Sequence, residues 1–275
     1  MEEIEYYGGK RYNTWNGHLR TKFGKKVMKI ALNGGFTCPN IDGKKGYGGC
    51  TYCSSSGSGD FAGDPAHSIL TQFEEVKSRM LKKWHEGLYM PYFQAHTNTY
   101  APASVLRERF EPVLQKDGVV GISIATRADC LENDVLEYLS ELNGRTYLIV
   151  ELGLQSIFDS TGERINRCHT YAEFLEGYNK LADRGINVCI HLINGLPGED
   201  KDMMLESAKT VAALRPHCLK LHLLHVIRGT RMERELLEGR VGLMSLEDYV
   251  DIIVRQLEVI HPRTVIQRLT GDGAR

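Results

Sequence analysis

The 275-residue chain is 42% hydrophobic and 25% charged, which describes an ordinary globular protein with enough length for a substantial core. Its net charge of −1 points to no partner by global attraction. No apolar run reaches transmembrane length, and the opening Met-Glu-Glu-Ile-Glu-Tyr-Tyr lacks the apolar core of a secretory signal, so no membrane partner and a cytoplasmic location are expected.

The first segment is a basic arm. Between Tyr6 and Ile41 there is no acidic residue, while Lys10, Arg11, Arg20, Lys22, Lys25, Lys26 and Lys29 are basic, with Tyr7, Tyr12, Trp15 and Phe23 interleaved. Such a stretch can grip phosphates and stack bases; it can equally be a solvated arm packed by its aromatics. Residues 1–28 are therefore expected to form a basic N-terminal extension, and 29–275 the main domain.

A first strand is expected over Lys29–Asn33. The loop after it carries Cys38, Cys50 and Cys53 in a C-x11-C-x2-C spacing, with Tyr52 before the last thiol. Three thiolates can hold three irons of a 4Fe–4S cluster and leave the fourth open to a substrate or cofactor. Zinc is the alternative, with His18, His67 or His96 as fourth ligand. A disulfide reading fails, because three is odd and nothing suggests secretion. Cys130, Cys168, Cys189 and Cys218 are scattered and read as packing residues.

Strands are further expected over Pro91–Ala95, Val119–Ala125, Tyr147–Gly153, Asn187–Ile193 and Leu219–Leu224. Amphipathic helices separate them. In the first, Ile69, Phe73, Val76, Met80 and Trp84 recur on one face, with Asp64-Pro65 expected to cap its start. The others are expected near Ala103–Leu114, Asn133–Leu142, Tyr171–Arg184, Lys201–Leu214 and Ser245–Ile260. Six strand–helix units in succession imply an α/β fold with a parallel sheet. Strand after strand ends in polar residues and glycines, which favours a barrel whose strand ends converge on one mouth. An open doubly wound sheet is the alternative; in a barrel the cysteine loop, which follows the first strand, sits at that mouth.

Taken together, these residues resemble the radical S-adenosylmethionine (radical SAM) superfamily over most of the chain. The long first cysteine gap departs from the common C-x3-C-x2-C but is similar to the branch containing the Elongator catalytic subunit. Thr126-Arg127-Ala128-Asp129 resembles that branch's T-R-P-D, with Ala128 in place of proline. Glu151-Leu-Gly-Leu-Gln-Ser, Asn166-Arg-Cys-His-Thr, Gly195-Leu-Pro-Gly and Val226-Ile-Arg-Gly-Thr have counterparts in the same order. The whole pattern resembles the stand-alone bacterial YtqA/YhcC-type group, with its Arg-Tyr-Asn opening and Thr-Asn-Thr-Tyr after strand two.

The resemblance implies an α/β fold, a partial (β/α)6 parallel barrel of radical SAM type, and, as cofactors, a 4Fe–4S cluster on Cys38, Cys50 and Cys53 together with SAM. Reductive cleavage of SAM would yield a 5′-deoxyadenosyl radical that abstracts hydrogen from an unactivated carbon. It implies Tyr52 and Ile193 near the adenine, and Thr97, Asn98 and Thr99 where relatives hold SAM's amino group. It also implies Gln155 and Arg167 as the polar pair gripping SAM, with Arg167 able to pair with its carboxylate. His191 falls where relatives contact the ribose, and a satisfied core histidine is the competing reading.

For substrate, Arg127, Lys220, His222, His225, Arg228 and Tyr100 are the residues free to face it. Lys220 and His222 alternate with leucines as if pointing into the barrel, where a structural polar layer is the alternative. Lys22, Lys25 and Lys26 would meet nucleic acid. The Elongator relationship implies tRNA as substrate, with the C5 substituent of the wobble uridine as target, and an electron donor such as flavodoxin or ferredoxin. A small metabolite or porphyrin precursor, and a non-catalytic zinc-stabilised RNA-binding protein, are the alternatives. Elongator's acetyltransferase domain has no counterpart before Arg275, so acetyl-CoA chemistry is not expected. Relatives of this type continue past a segment like Arg268–Asp272, which here lies close to the last residue.

Overall fold

A computed structural model describes residues 6–271; the first five residues and the Asp-Gly-Ala-Arg end lie outside the described residues. A 3-10 turn (Tyr7–Gly9) and α1 (Trp15–Phe23) precede β1 (Val27–Leu32). Then follow α2 (Ile69–Lys83), β2 (Leu88–Phe93), α3 (Ala103–Leu114), β3 (Gly121–Thr126), α4 (Asn133–Arg145) and β4 (Tyr147–Gln155). The chain continues through α5 (Asp159–Arg164), α6 (Tyr171–Ala182), β5 (Asn187–Asn194), α7 (Lys201–Ala213) and β6 (Cys218–Leu223). It closes with α8 (Arg231–Leu237), α9 (Leu246–Val259) and β7 (Val265–Arg268).

All neighbouring strands are parallel, in the order β1 to β7. The sheet curls into a half-barrel, so that Lys29 on β1 reaches Gln267 on β7 at 2.7 Å. The expected six strands are therefore joined by a seventh. Its four residues are too short to stand out from the basic and polar segment that surrounds them. The start of α2 is also corrected: Ser68, not Asp64-Pro65, caps it, its hydroxyl accepting from Thr71 N at 3.1 Å.

Alternation along the strands explains the layering. Outward residues such as Ile30, Ile124, Val150, Ile190 and Leu221 are fully buried, and they join one core with the helices through Phe73, Phe110, Leu139, Phe174 and Ile252. The inner face is stratified. Nearest the strand starts, Ile149, Cys189, Cys218 and Val265 form an apolar layer with Trp15 of α1, and Leu19 packs beside Val27 and Met90. The arm thus plugs the base of the barrel, with Thr14 bridging to Ile266. Above this lies a charged layer, and above that Ala31, Ala125 and Gly153, which remain half-buried while their outward neighbours are sealed. Small side chains there leave the lumen open towards the strand C-termini. No helix among the described residues is long and apolar enough to cross a membrane.

Candidate functional site

The cysteine loop leaves β1 at Asn33 and returns to α2 at Ser68. Gln72 of α2 pins both ends: its carbonyl accepts from Asn33 N at 2.9 Å, and its amide donates to Asn33 O and His67 O, each at 3.1 Å. The eleven-residue gap between Cys38 and Cys50 is a folded turn system, not a slack excursion. Ile41 N donates back to Cys38 O, and Gly49 N to Asn40 O.

That loop docks on the segment between α5 and α6. Asn40 is fully buried and donates to Asn166 O, with the Cys50 sulfur 3.6 Å from the same amide nitrogen. Asn166 answers by donating to Tyr47 O at 3.1 Å and Gly49 O at 2.7 Å. Thr51 N donates to Ile165 O at 2.9 Å, and Lys45 bridges Glu173 at 2.8 Å and Asp129 at 3.4 Å. Asn166 and Cys168 take positive φ to present these groups. Five of the six described non-glycine residues with positive φ, Ser58, His96, Asn166 and Cys168 in loops beyond the strand C-termini and Gln155 at the end of β4, lie on one side of the sheet, where strain held by surrounding contacts marks a functional region.

The three thiols sit together near this dock. Burial, then Cys53 and Cys38, pushes the Cys50 thiol up to about 12, and burial also raises Cys53. They bind in their thiolate form, so metal binding would release protons. Their spacing bears on what they fit. Among the described residues, the one set of three whose ligand atoms lie within 4.8 Å of one another is Glu151, Cys189 and His191. The three loop thiols are not all within that distance of one another, whereas a single tetrahedral zinc with bonds of about 2.3 Å needs sulfurs within about 4 Å. His18 and His67 are also engaged elsewhere, with Tyr147 and Glu75 respectively. The Glu151 set is no metal site, because two lysine ammonium groups already occupy its carboxylate.

The expected cofactor residues converge on the same mouth with different duties. Tyr52 and Ile193 pack against one small cluster that includes Ile165 and Leu196. Thr97 lies beside the loop, its N–H donating to Thr37 O at 3.2 Å. Asn98 is sealed and spends its amide on the carbonyls of Phe93, Ala95 and Ala125. Thr99 is likewise tied to Thr126 and to Cys130 O. Both hold the β2 loop against β3, although the Asn98 Oδ1 is buried without a partner.

Gln155 ends β4 at a bulge, with φ of 64°. A Cβ at Gly153 would come within 2.5 Å of its amide nitrogen, so glycine there lets the Gln155 side chain fold over the lumen. Arg167 differs from its expected role of pairing with a ligand carboxylate. It is 1% exposed, and its guanidinium donates to His169 O, Leu154 O and Ser156 O and pairs with Asp159 at 3.3 Å. It clamps the two peptides flanking Gln155 and so acts as a positioning residue. Arg127 is corrected in the same way. It is not free: it forks onto Asp129 at 2.8 and 2.9 Å and donates to Arg167 O and Cys168 O.

Lys220, His191 and Lys29 belong to the charged layer around Glu151, a residue that pattern reading did not single out. Glu151 is fully buried on the inner face of β4 and accepts from Lys29, Lys220 and Ser123, while His191 Nε2 lies 2.8 Å away. Although burial opposes its ionisation, Lys220 and Lys29 hold its carboxyl well below the usual range. Burial and Lys220 depress His191 to about 4, so its imidazole is neutral. Its signal was present: an acid inside the run Leu-Ile-Val-Glu-Leu, and a lysine inside Val-Met-Lys-Ile-Ala-Leu, are charges in mid-strand that only an internal partner explains.

Lys22, Lys25 and Lys26 stand at the N-terminal end of β1, one strand length, about 20 Å, from the cysteines. Lys26 lies 3.5 Å over Trp84, and Lys22 4.8 Å from the Tyr147 ring. They do not line the mouth, because α1 is the plug of the opposite end. His222 stands in the lumen beside His191, with ring centroids 5.3 Å apart, and His225 meets Gly271 O at 2.9 Å. Tyr100 and Lys44 border a cavity of about 390 Å³ next to Pro39, on the outer side of the cysteine loop.

Comparison with known proteins agrees with this geometry. The family model described as the Radical SAM superfamily matches residues 45–211, and that of the Radical_SAM C-terminal domain matches 216–275. The uncharacterized protein YtqA of Bacillus subtilis is 56% identical over 264 residues, covering 96% of this chain and 82% of the relative. Protein YhcC of Escherichia coli is 34% identical over 267 residues, covering 97% and 85%. Among solved structures, the archaeal Methanocaldococcus infernus Elp3 with an N-terminal deletion shares the fold with a TM-score of 0.69 at 17% identity, covering 90% of this chain and 57% of that one.

Proposed function

Because the chain belongs to the radical SAM superfamily, whose members use a 4Fe–4S cluster and SAM, we propose that Cys38, Cys50 and Cys53 hold that cluster and that the enzyme acts on the C5 substituent of tRNA wobble uridine. When bound, the cluster and SAM supply a 5′-deoxyadenosyl radical able to take hydrogen from an unactivated carbon. The observation that carries the reading is the docking of a three-thiol loop, through Asn40 and Asn166, at the mouth where Gln155, Thr97, Tyr52 and Ile193 meet.

Each residue has a physical task. Tyr52 and Ile193, with the backbone of 195–198, offer an apolar wall for the adenine. The Thr97 hydroxyl and the Gln155 amide supply hydrogen bonds to the amino-acid end and ribose. Arg167 fixes the Leu154 and Ser156 peptides, so Gln155 pays little to be held in its strained conformation. The α1 plug and the apolar layer above it exclude water from the lumen floor, as a radical reaction requires. The electron comes from a low-potential donor such as flavodoxin or ferredoxin.

The tRNA part rests on the motif order shared with the Elongator branch, not on the basic arm, which lies at the far end of the strands. That placement favours, as second reading, a small metabolite drawn into the lumen. The test is 5′-deoxyadenosine release by anaerobically reconstituted enzyme with and without deacylated tRNA. Stimulation and a salt-sensitive tRNA affinity are expected. No binding and no stimulation would leave the metabolite reading.

A further inference from the structure

The charged layer is more than an internal salt bridge. Two ammonium groups, Lys29 and Lys220, share the single carboxylate of Glu151, while the adjoining His191 and His222 are held neutral by burial and nearby lysine charge. With both lysines protonated the layer carries one more positive charge than negative, and burial, which lowers Lys29, opposes that excess. Buried charge of one sign without its match is costly, and it is tolerated where a ligand completes the pairing.

The surplus faces an open space. Directly above, the inner positions are Ala31, Ala125 and Gly153, whose small side chains leave the lumen accessible from the mouth. His222 Nε2 is buried there without a hydrogen-bond partner, one strand position-pair above Lys220. A neutral imidazole can donate to an anion lying on the layer. Lys29 is saturated by Glu151, Ser123 and Gln267, so its charge contributes at a distance. Lys220 contacts only Glu151 and, at 3.3 Å, the Tyr92 hydroxyl, which leaves it a proton to donate upward.

We propose that this layer is the floor of the substrate chamber and binds an anionic group of the substrate, a carboxylate or a phosphate, between Lys220 and His222. The inference rests on the radical SAM reading for its site but not for its test. The reacting carbon would then lie in the small-residue layer, between the anchored anion and the cysteine loop. That arrangement selects substrates that carry the anion a short distance from the carbon attacked.

The test follows the ring signals of isotope-labelled His191 and His222 in the anaerobic holoenzyme while acetate, inorganic phosphate or SAM is added at constant ionic strength. Saturable shifts with acetate mark a carboxylate, and with phosphate a phosphate. Either anion should bind at least ten-fold more weakly to Lys220→Met and near normally to Lys220→Arg, which guards against a general folding defect. Absence of saturable shifts with both anions, or equal binding by Lys220→Met, would overturn the proposal. So would SAM alone producing the same shifts and blocking acetate, since the floor would then hold SAM's own carboxylate. Iron content and the EPR signal report separately on the radical SAM reading.

Discussion

Replacing Glu151 by Gln keeps the shape of the charged layer and removes its one negative charge. Lys29 and Lys220 would then face each other across a buried space, with no counter-ion among the groups that contact them. Removing one partner from a buried pair costs about 3–5 kcal/mol, mostly for the charge left behind. For a chain of this size that is a fall in Tm on the order of 10 °C. Lys29, whose pKa burial already lowers, limits the cost by giving up its proton. The variant's deficit should therefore shrink as pH rises towards 10, where the unfolded lysine loses its proton too. Anaerobic urea titrations of wild type and Glu151→Gln at pH 7 and pH 9.5 measure both effects. A deficit below about 1 kcal/mol at pH 7, or one that does not change with pH, would refute the internal pairing.

The remaining predictions concern the mouth and the base. Gly153→Ala places a Cβ 2.5 Å from the Gln155 amide and should weaken SAM binding at least ten-fold with little loss of fold, measured by equilibrium dialysis; unchanged affinity would remove Gln155 from the SAM site. Asn166→Ala breaks the two side-chain bonds from Asn166 to the Cys38–Cys50 loop and should lower retained iron after reconstitution several-fold, with the far-UV spectrum preserved; full iron retention would show that the loop's other contacts suffice. His18, bonded to Tyr147 at the base, is depressed to about 4 by burial, then His217 and Lys22. Between pH 6.5 and 4 the unfolded chain takes up a proton there that the folded chain refuses, so stability falls on acidification. His18→Gln should remove on the order of 1 kcal/mol of that loss, solvent screening of the half-buried ring discounting the rest; urea midpoints unchanged in their pH dependence would contradict it.

How far the chain could be read without coordinates depends on which interactions leave a local trace. The six longer strands do, because each is a short apolar run closed by polar or glycine residues, and the order of their endings places the mouth. The seventh, Val265–Arg268, leaves none: four residues of ordinary composition become a strand only by pairing with β6. Arg127 and Arg167 show the limit at the site. Their positions in the motifs are visible, but whether a guanidinium is spent on carbonyls or kept for a ligand depends on peptides brought in from other loops. Lys22, Lys25 and Lys26 look like a binding arm because the basic residues are contiguous. Their location follows from α1 preceding β1, which forces it to the base. Glu151 was legible in principle, since a mid-strand acid demands a partner, but the partners Lys29 and Lys220 lie more than a hundred residues before and nearly seventy after it.

The most direct test of the account is the metal content of anaerobically reconstituted protein, together with its EPR spectrum after dithionite reduction with and without SAM. The account predicts about four irons per chain, lost in a Cys38→Ala, Cys50→Ala or Cys53→Ala variant, and a reduced-cluster signal that changes when SAM is added. Stoichiometric zinc with no uptake of iron, or a reduced signal indifferent to SAM, would contradict it.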